Sequence, residues 1–224
     1  MFWSSKPVIR VRIPLSAPNS NGVTMYHHLF SKDKAIKAYA GIGARKTPSD
    51  ILIMMTDIAK ALDSRGYVLF SGGADGADKA FESGATQKII FIPWNGFNGY
   101  SPTPDIVSLS GAQNQIYEEA VRLAKDNHPY GQNLKSSVLR LMARNVFQVL
   151  GPSLKSPIKF LICWTPDGCE SHITRTLATG STGCAISLAS KLNIPIFNLA
   201  NEKSFSRLKR FLETAKTHIY LQLR

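Results

Sequence analysis

Residues 66–94, GYVLFSGGADGADKAFESGATQKIIFIPW, decide the fold of this chain. Val68, Leu69 and Phe70 form an apolar run that stops at Ser71-Gly72-Gly73. A helical stretch follows over 76–85, and a second apolar run, KIIFIPW, occupies 88–94. A strand, a glycine loop, a helix and another strand within thirty residues make a crossover unit, which joins parallel strands.

The same alternation extends in both directions. Upstream, AIKAYAGIG (35–43) is a strand ending in a glycine turn. Pro48 then opens a helix to about residue 65, with Ile51, Met54, Met55, Ile58, Ala59 and Leu62 at three- and four-residue spacing. Downstream, a Gly-, Pro- and Ser-rich segment over 95–112 reads as an insertion, and helices are expected at 115–125 and 134–150. KFLICW (159–164) is a strand, 182–192 a helix, IPIFNLA (194–200) a strand and 202–216 a basic helix. HIYLQLR (218–224) reads as a last strand. Short apolar runs alternating with helices predict a Rossmann-like α/β domain, a parallel sheet with helices on both faces. Its span is 36–200, with an insertion at about 95–150. The basic helix and tail take up 201–224. Before the domain, 1–35 is an arm or added strand, in which VIRVRIPL (8–15) sets Arg10 and Arg12 on one face of an extended segment.

The chain has 224 residues, with 27 Lys and Arg against 15 Asp and Glu, for a net charge of +12. At 44% hydrophobic it can bury a core, which excludes a wholly disordered chain. No stretch reaches the roughly 18 apolar residues of a membrane span. Lys6, Arg10 and Arg12 interrupt the N-terminal segment, so it lacks the apolar core of a signal peptide. Cys163, Cys169 and Cys184 are odd in number and carry no CxxC or paired-His spacing, which argues against a disulfide framework or a zinc site. The expectation is a reduced, cytoplasmic protein without metal or cofactor, whose charge favours polyanions.

In open parallel sheets ligands collect at the carboxyl ends of the strands, and three glycine loops fall there. Gly41-Ile42-Gly43-Ala44-Arg45 follows the first strand, with Arg45 able to fork onto a phosphate. Ser71-Gly72-Gly73-Ala74-Asp75-Gly76-Ala77-Asp78 lies between the second strand and its helix. Its N–H groups suit an anion, and Asp75 and Asp78 either cap the helix or accept from ribose or base. Gly180-Ser181-Thr182-Gly183 precedes a later helix and again offers hydroxyls and N–H groups. Arg140 and Arg144, four apart on a helix, and Trp94 at a strand end are candidate nucleic-acid contacts. Each also has a bland reading, as a solvated face or as core packing.

At these residues the chain resembles a family. SGGADGADKAFESGA followed by KIIFIPW looks like the SGGARGID segment of the DNA-processing protein A (DprA) group, within the wider SLOG superfamily of Rossmann-like nucleotide binders. GIGAR before it and STGCAISLASKLNIPIFNLA after it fit the same superfamily, and the motif order resembles DprA-like proteins carried by bacteriophages. The resemblance covers about 36–200. It implies binding of single-stranded DNA or a nucleotide through the glycine loops, dimers through an edge of the fold, a recombinase partner, and a host-cytoplasm location if the chain is phage-encoded. The LOG phosphoribohydrolases of this superfamily carry PGGxGTxxE with a catalytic Glu. Here Ser187 stands at that position, and Asp75 stands where the DprA group has Arg. An enzyme would therefore need Glu82 or Asp78, four apart on one helix face, as its acid. The alternatives to a DNA binder are a sensor or sequestering protein for a small nucleotide-derived ligand, and a LOG-type N-glycosidase.

Overall fold

The computed structural model describes residues 36–112, 114–129 and 131–221; the arm expected over 1–35 lies outside the described residues. Among them, β1 (Ala38–Gly43), β2 (Val68–Ser71), β3 (Lys88–Ile92), β4 (Ile106–Ser108), β5 (Leu161–Trp164) and β6 (Ile196–Asn198) form one sheet in the order β4-β3-β2-β1-β5-β6. Every pairing is parallel. The helices are α1 (Ser49–Asp63), α2 (Ala77–Gly84), α3 (Asn114–Asp126), α4 (Ser136–Leu150), α5 (Gly183–Lys191) and α6 (Glu202–Leu221). This is the Rossmann-like α/β fold that the alternating runs imply.

The period of two along each strand sorts the core into two layers. Ala38, Ala40, Ile42, Val68 and Phe70 point to one face, where Met142, Val146, Phe147, Cys184 and Ile186 of α4 and α5 cover them. Tyr39, Leu69 and Ile162 point to the other, against Met55, Ile58, Leu62, Phe81 and Leu208 of α1, α2 and α6. Phe160 binds this second layer together, with its ring against Tyr39, Tyr67, Phe197 and Phe211. Burying one such ring stabilises the fold by roughly 1.5–3 kcal/mol.

Two sequence expectations change. The segment over 95–112 is more than a loop, because Ile106–Ser108 pairs with β3 as an edge strand. A strand of three residues, set between Pro104 and a 3-10 turn, is too short to display a period. The strand expected in 218–224 is helical as far as Leu221, where the described residues end. Neither Gly nor Pro stands between Glu202 and Leu221, and adding residues to an existing helix is far easier than starting a new element.

Chain connections run from β1 through α1 to β2 on one side and reach β5 on the other. Strand order therefore reverses between the neighbours β1 and β5. A crevice opens beyond the carboxyl ends of the strands at such a point.

Candidate anion-binding site

A cavity of about 300 Å³ occupies this crevice. β1 supplies Ile42 and Gly43, and its following turn supplies Ala44 and Arg45. The β2–α2 loop supplies Ala74, and α2 supplies Asp78. Arg144, Asn145 and Gln148 come from α4, with Ser181 and Thr182 from the turn leading into α5. Four segments far apart in sequence thus meet at one sheet edge.

Each loop has a local reason for its place. Gly76 (φ 81°) turns the chain into α2 and lies so close to the β1 turn that a Cβ would come 2.5 Å from the Arg45 carbonyl oxygen. Only glycine allows both the backbone angle and that approach. Thr47 fixes the β1 turn, its hydroxyl donating to the Ala44 carbonyl at 2.7 Å. The turn before α5 is tied to α4, where Asn145 Nδ2 donates to the Ser181 carbonyl at 2.9 Å. Asp167, beyond β5, anchors the long loop leading to that turn. Its carboxylate accepts from the hydroxyls of Thr165 (2.8 Å), Thr176 (2.6 Å) and Thr179 (2.5 Å) and from the Cys169 N–H. Burial pushes the Asp167 carboxyl up, but these hydrogen bonds prevail and hold it down at about 2.

A buried ion pair lies beneath the cavity. Arg144 donates from Nη1 to Asp78 Oδ2 at 2.9 Å, and the two side chains are 9% and 3% exposed. The same nitrogen donates to Gln148 Oε1 at 3.2 Å, which sets the amide orientation. Asp78 also accepts from the Ala74 N–H at 3.3 Å. Burial drives the Asp78 carboxyl up to about 6; Arg144 opposes this and Glu82 reinforces it. Arg144 Nε and Gln148 Nε2 are buried with no hydrogen-bond partner among the described residues.

Of the residues singled out by sequence, Gly43, Arg45, Asp78, Arg144, Ser181 and Thr182 line the cavity. The others stand nearby with different surroundings. Gly41 packs under Phe81, where a Cβ would come within 2.5 Å of the ring. Gly72 gives way to Arg144, whose guanidinium occupies the space a Cβ would need, and Gly183 gives way to Arg175 in the same manner. Ser71 and Gly73 serve Glu82: the Ser71 hydroxyl (2.7 Å) and the Gly73 N–H (3.0 Å) both donate to Oε1. Tyr100 donates to Oε2 at 2.5 Å, and burial together with this carboxylate raises the Tyr100 pKa. Asp75 and Gly180 are exposed, as is Arg140 one turn from Arg144. Trp94 is half-buried, edge-on to Phe97 with centroids 5.4 Å apart.

Gln148 and Asp167 escaped the sequence reading. A glutamine in the apolar run VFQVL was the available signal for Gln148, since a polar side chain on a buried helix face needs a partner.

Fold and cavity together define a doubly wound α/β protein with a crevice at its switch point lined by polar and charged residues. No protein-family model matches the chain, and no curated protein matches it. Among solved structures, DNA processing protein A from Helicobacter pylori, described for its single-stranded DNA binding mode, is similar to this chain. The two are 23% identical with a TM-score of 0.45, over 74% of this chain and 66% of that one. The matched region therefore spans just under two thirds of that protein's chain.

Proposed function

We propose that this chain is a DprA-like binder of single-stranded DNA or of a nucleotide, and that it holds a phosphate group in the switch-point cavity. The observation that carries this is the convergence of Gly43–Arg45, Ser181–Thr182 and Arg144 on one crevice. Backbone N–H groups, hydroxyls and guanidinium groups are the donors a phosphate oxygen needs. The glycine motifs at 71–85 and 180–187 support the same reading.

Binding fits the acids better than hydrolysis does. Glu82 has both carboxylate oxygens engaged by Ser71, Gly73 and Tyr100, and Ser187, at the catalytic-Glu position of the LOG motif, is buried inside α5. Neither is placed to move a proton on a sugar, and Asp78, the other acid, is held by Arg144 and by the Ala74 N–H.

A small nucleotide is the second reading, favoured by a cavity of about 300 Å³. Lys203, Lys209 and Arg210 are exposed on α6, and none of the residues that line the cavity comes from that helix. Fluorescence anisotropy separates the two: displacement of a labelled oligothymidylate by unlabelled strand, but not by a nucleoside monophosphate, supports the DNA binder. The reverse order supports the small ligand, and no binding of either at low salt overturns both.

A further inference from the structure

We propose that anion binding in the cavity is coupled to the uptake of one proton by Asp78; this rests on the phosphate-binding reading above. Asp78 is 2% exposed and Arg144 7% exposed, so their charges balance where water cannot screen them. An anion entering above them sets a second negative group beside the buried Arg144 guanidinium. Taking one proton from solvent onto Asp78 restores the balance and releases Arg144 to face the anion.

The surrounding groups leave Asp78 as the proton acceptor. On its own helix, Glu82 is one turn away and adds negative charge, but Ser71, Gly73 and Tyr100 hold it as an acceptor. Asp75, ahead of α2, is exposed. From the β1 turn, Arg45 brings the other guanidinium of the lining, and it too is exposed. The α5 side brings only Ser181 and Thr182 to the lining, and neither carries a charge. From α4, Arg144 faces Asp78, and its Nε lies buried without a partner among the described residues. Burial already holds the Asp78 carboxyl up at about 6 with Arg144 beside it. A second nearby anion raises it further, across neutral pH.

The test is isothermal titration of the full chain with a short oligothymidylate lacking terminal phosphates, whose diesters do not titrate between about pH 5 and 8. It is run at neutral pH in two buffers of different ionisation enthalpy. The expected result is a heat that differs between the buffers by about one proton per site. Affinity should also weaken by up to about tenfold per pH unit above pH 6. Asp78→Asn should bind with the same heat in both buffers and with a flat pH profile. Equal heats in the wild-type chain overturn the proposal, and so does proton uptake that persists in Asp78→Asn. Absence of oligothymidylate binding overturns the coupling for a DNA ligand, and if a nucleoside monophosphate also fails to bind, the phosphate reading falls as well; binding without proton uptake overturns the coupling alone. The two-buffer comparison needs no variant, so it decides the matter even if Asp78→Asn does not fold.

Discussion

Arg144 of α4 reaches Asp78 of α2, sixty-six positions away in the chain, by passing through the space that Gly72 leaves open. The contact joins the helix over one sheet face to the helix over the other, at the crevice where strand order reverses. It makes Gly72 a structural requirement of the site.

Gly72→Ala should consequently displace Arg144 and strand the Asp78 charge. Breaking a buried pair from one side costs about 3–5 kcal/mol, which thermal or denaturant unfolding would register as a large loss. Asp75→Ala, at an exposed position three residues on, should stay within about 0.5 kcal/mol of the parent. Equal effects from the two would refute the role given to Gly72.

Glu82 holds the β2–α2 loop through Ser71, Gly73 and Tyr100. Glu82→Ala leaves buried donors without an acceptor and should cost on the order of 1–3 kcal/mol or more. Glu82→Gln keeps an acceptor oxygen and should cost less, with oligonucleotide affinity changed by less than about threefold. A Glu82→Gln chain that keeps its unfolding midpoint but loses binding would place Glu82 against the ligand.

Arg45 is exposed at the cavity rim and is read here as a phosphate contact. Arg45→Ala should weaken oligonucleotide binding roughly tenfold and lower the slope of log Kd against log salt by about one. Arg140→Ala, outside the cavity lining, should change neither by much. Salt titrations of the parent and both variants give the comparison.

Much of this was legible in the sequence because period and punctuation report local structure directly. The apolar spacing from Met55 to Leu62 fixes the buried face of α1, and the runs at 68–70 and 161–163 are buried strands. The glycines were harder to read. A glycine that clears room for a side chain, as Gly72 does for Arg144, has the same one-letter signature as one that clears room for a ligand. Arg140 and Arg144 share a helix face in the sequence, yet packing buries one and exposes the other. The place of Gln148 depends on α4 lying over β1 and β2, a tertiary relation that no local pattern encodes.

Asp167 supplies a pH prediction. Its carboxyl is held at about 2, below the ordinary value of 3.8, so the unfolded chain binds the proton more readily. The stabilisation is fully present above pH 3.8 and is lost as pH falls toward 2. Asp167→Asn should therefore be less stable than the parent near neutral pH, and the gap should narrow on acidification through that window. Denaturant midpoints at a series of pH values read this out, and a gap independent of pH would contradict it.

Hydrogen exchange of the backbone amides, with and without a saturating oligothymidylate, locates the ligand most directly. The expected result is slowed exchange at residues 43–45, at Ala74 and at 181–183, the segments that meet around Arg144. Protection confined to α6, with these amides unchanged, would contradict a phosphate site at the switch point.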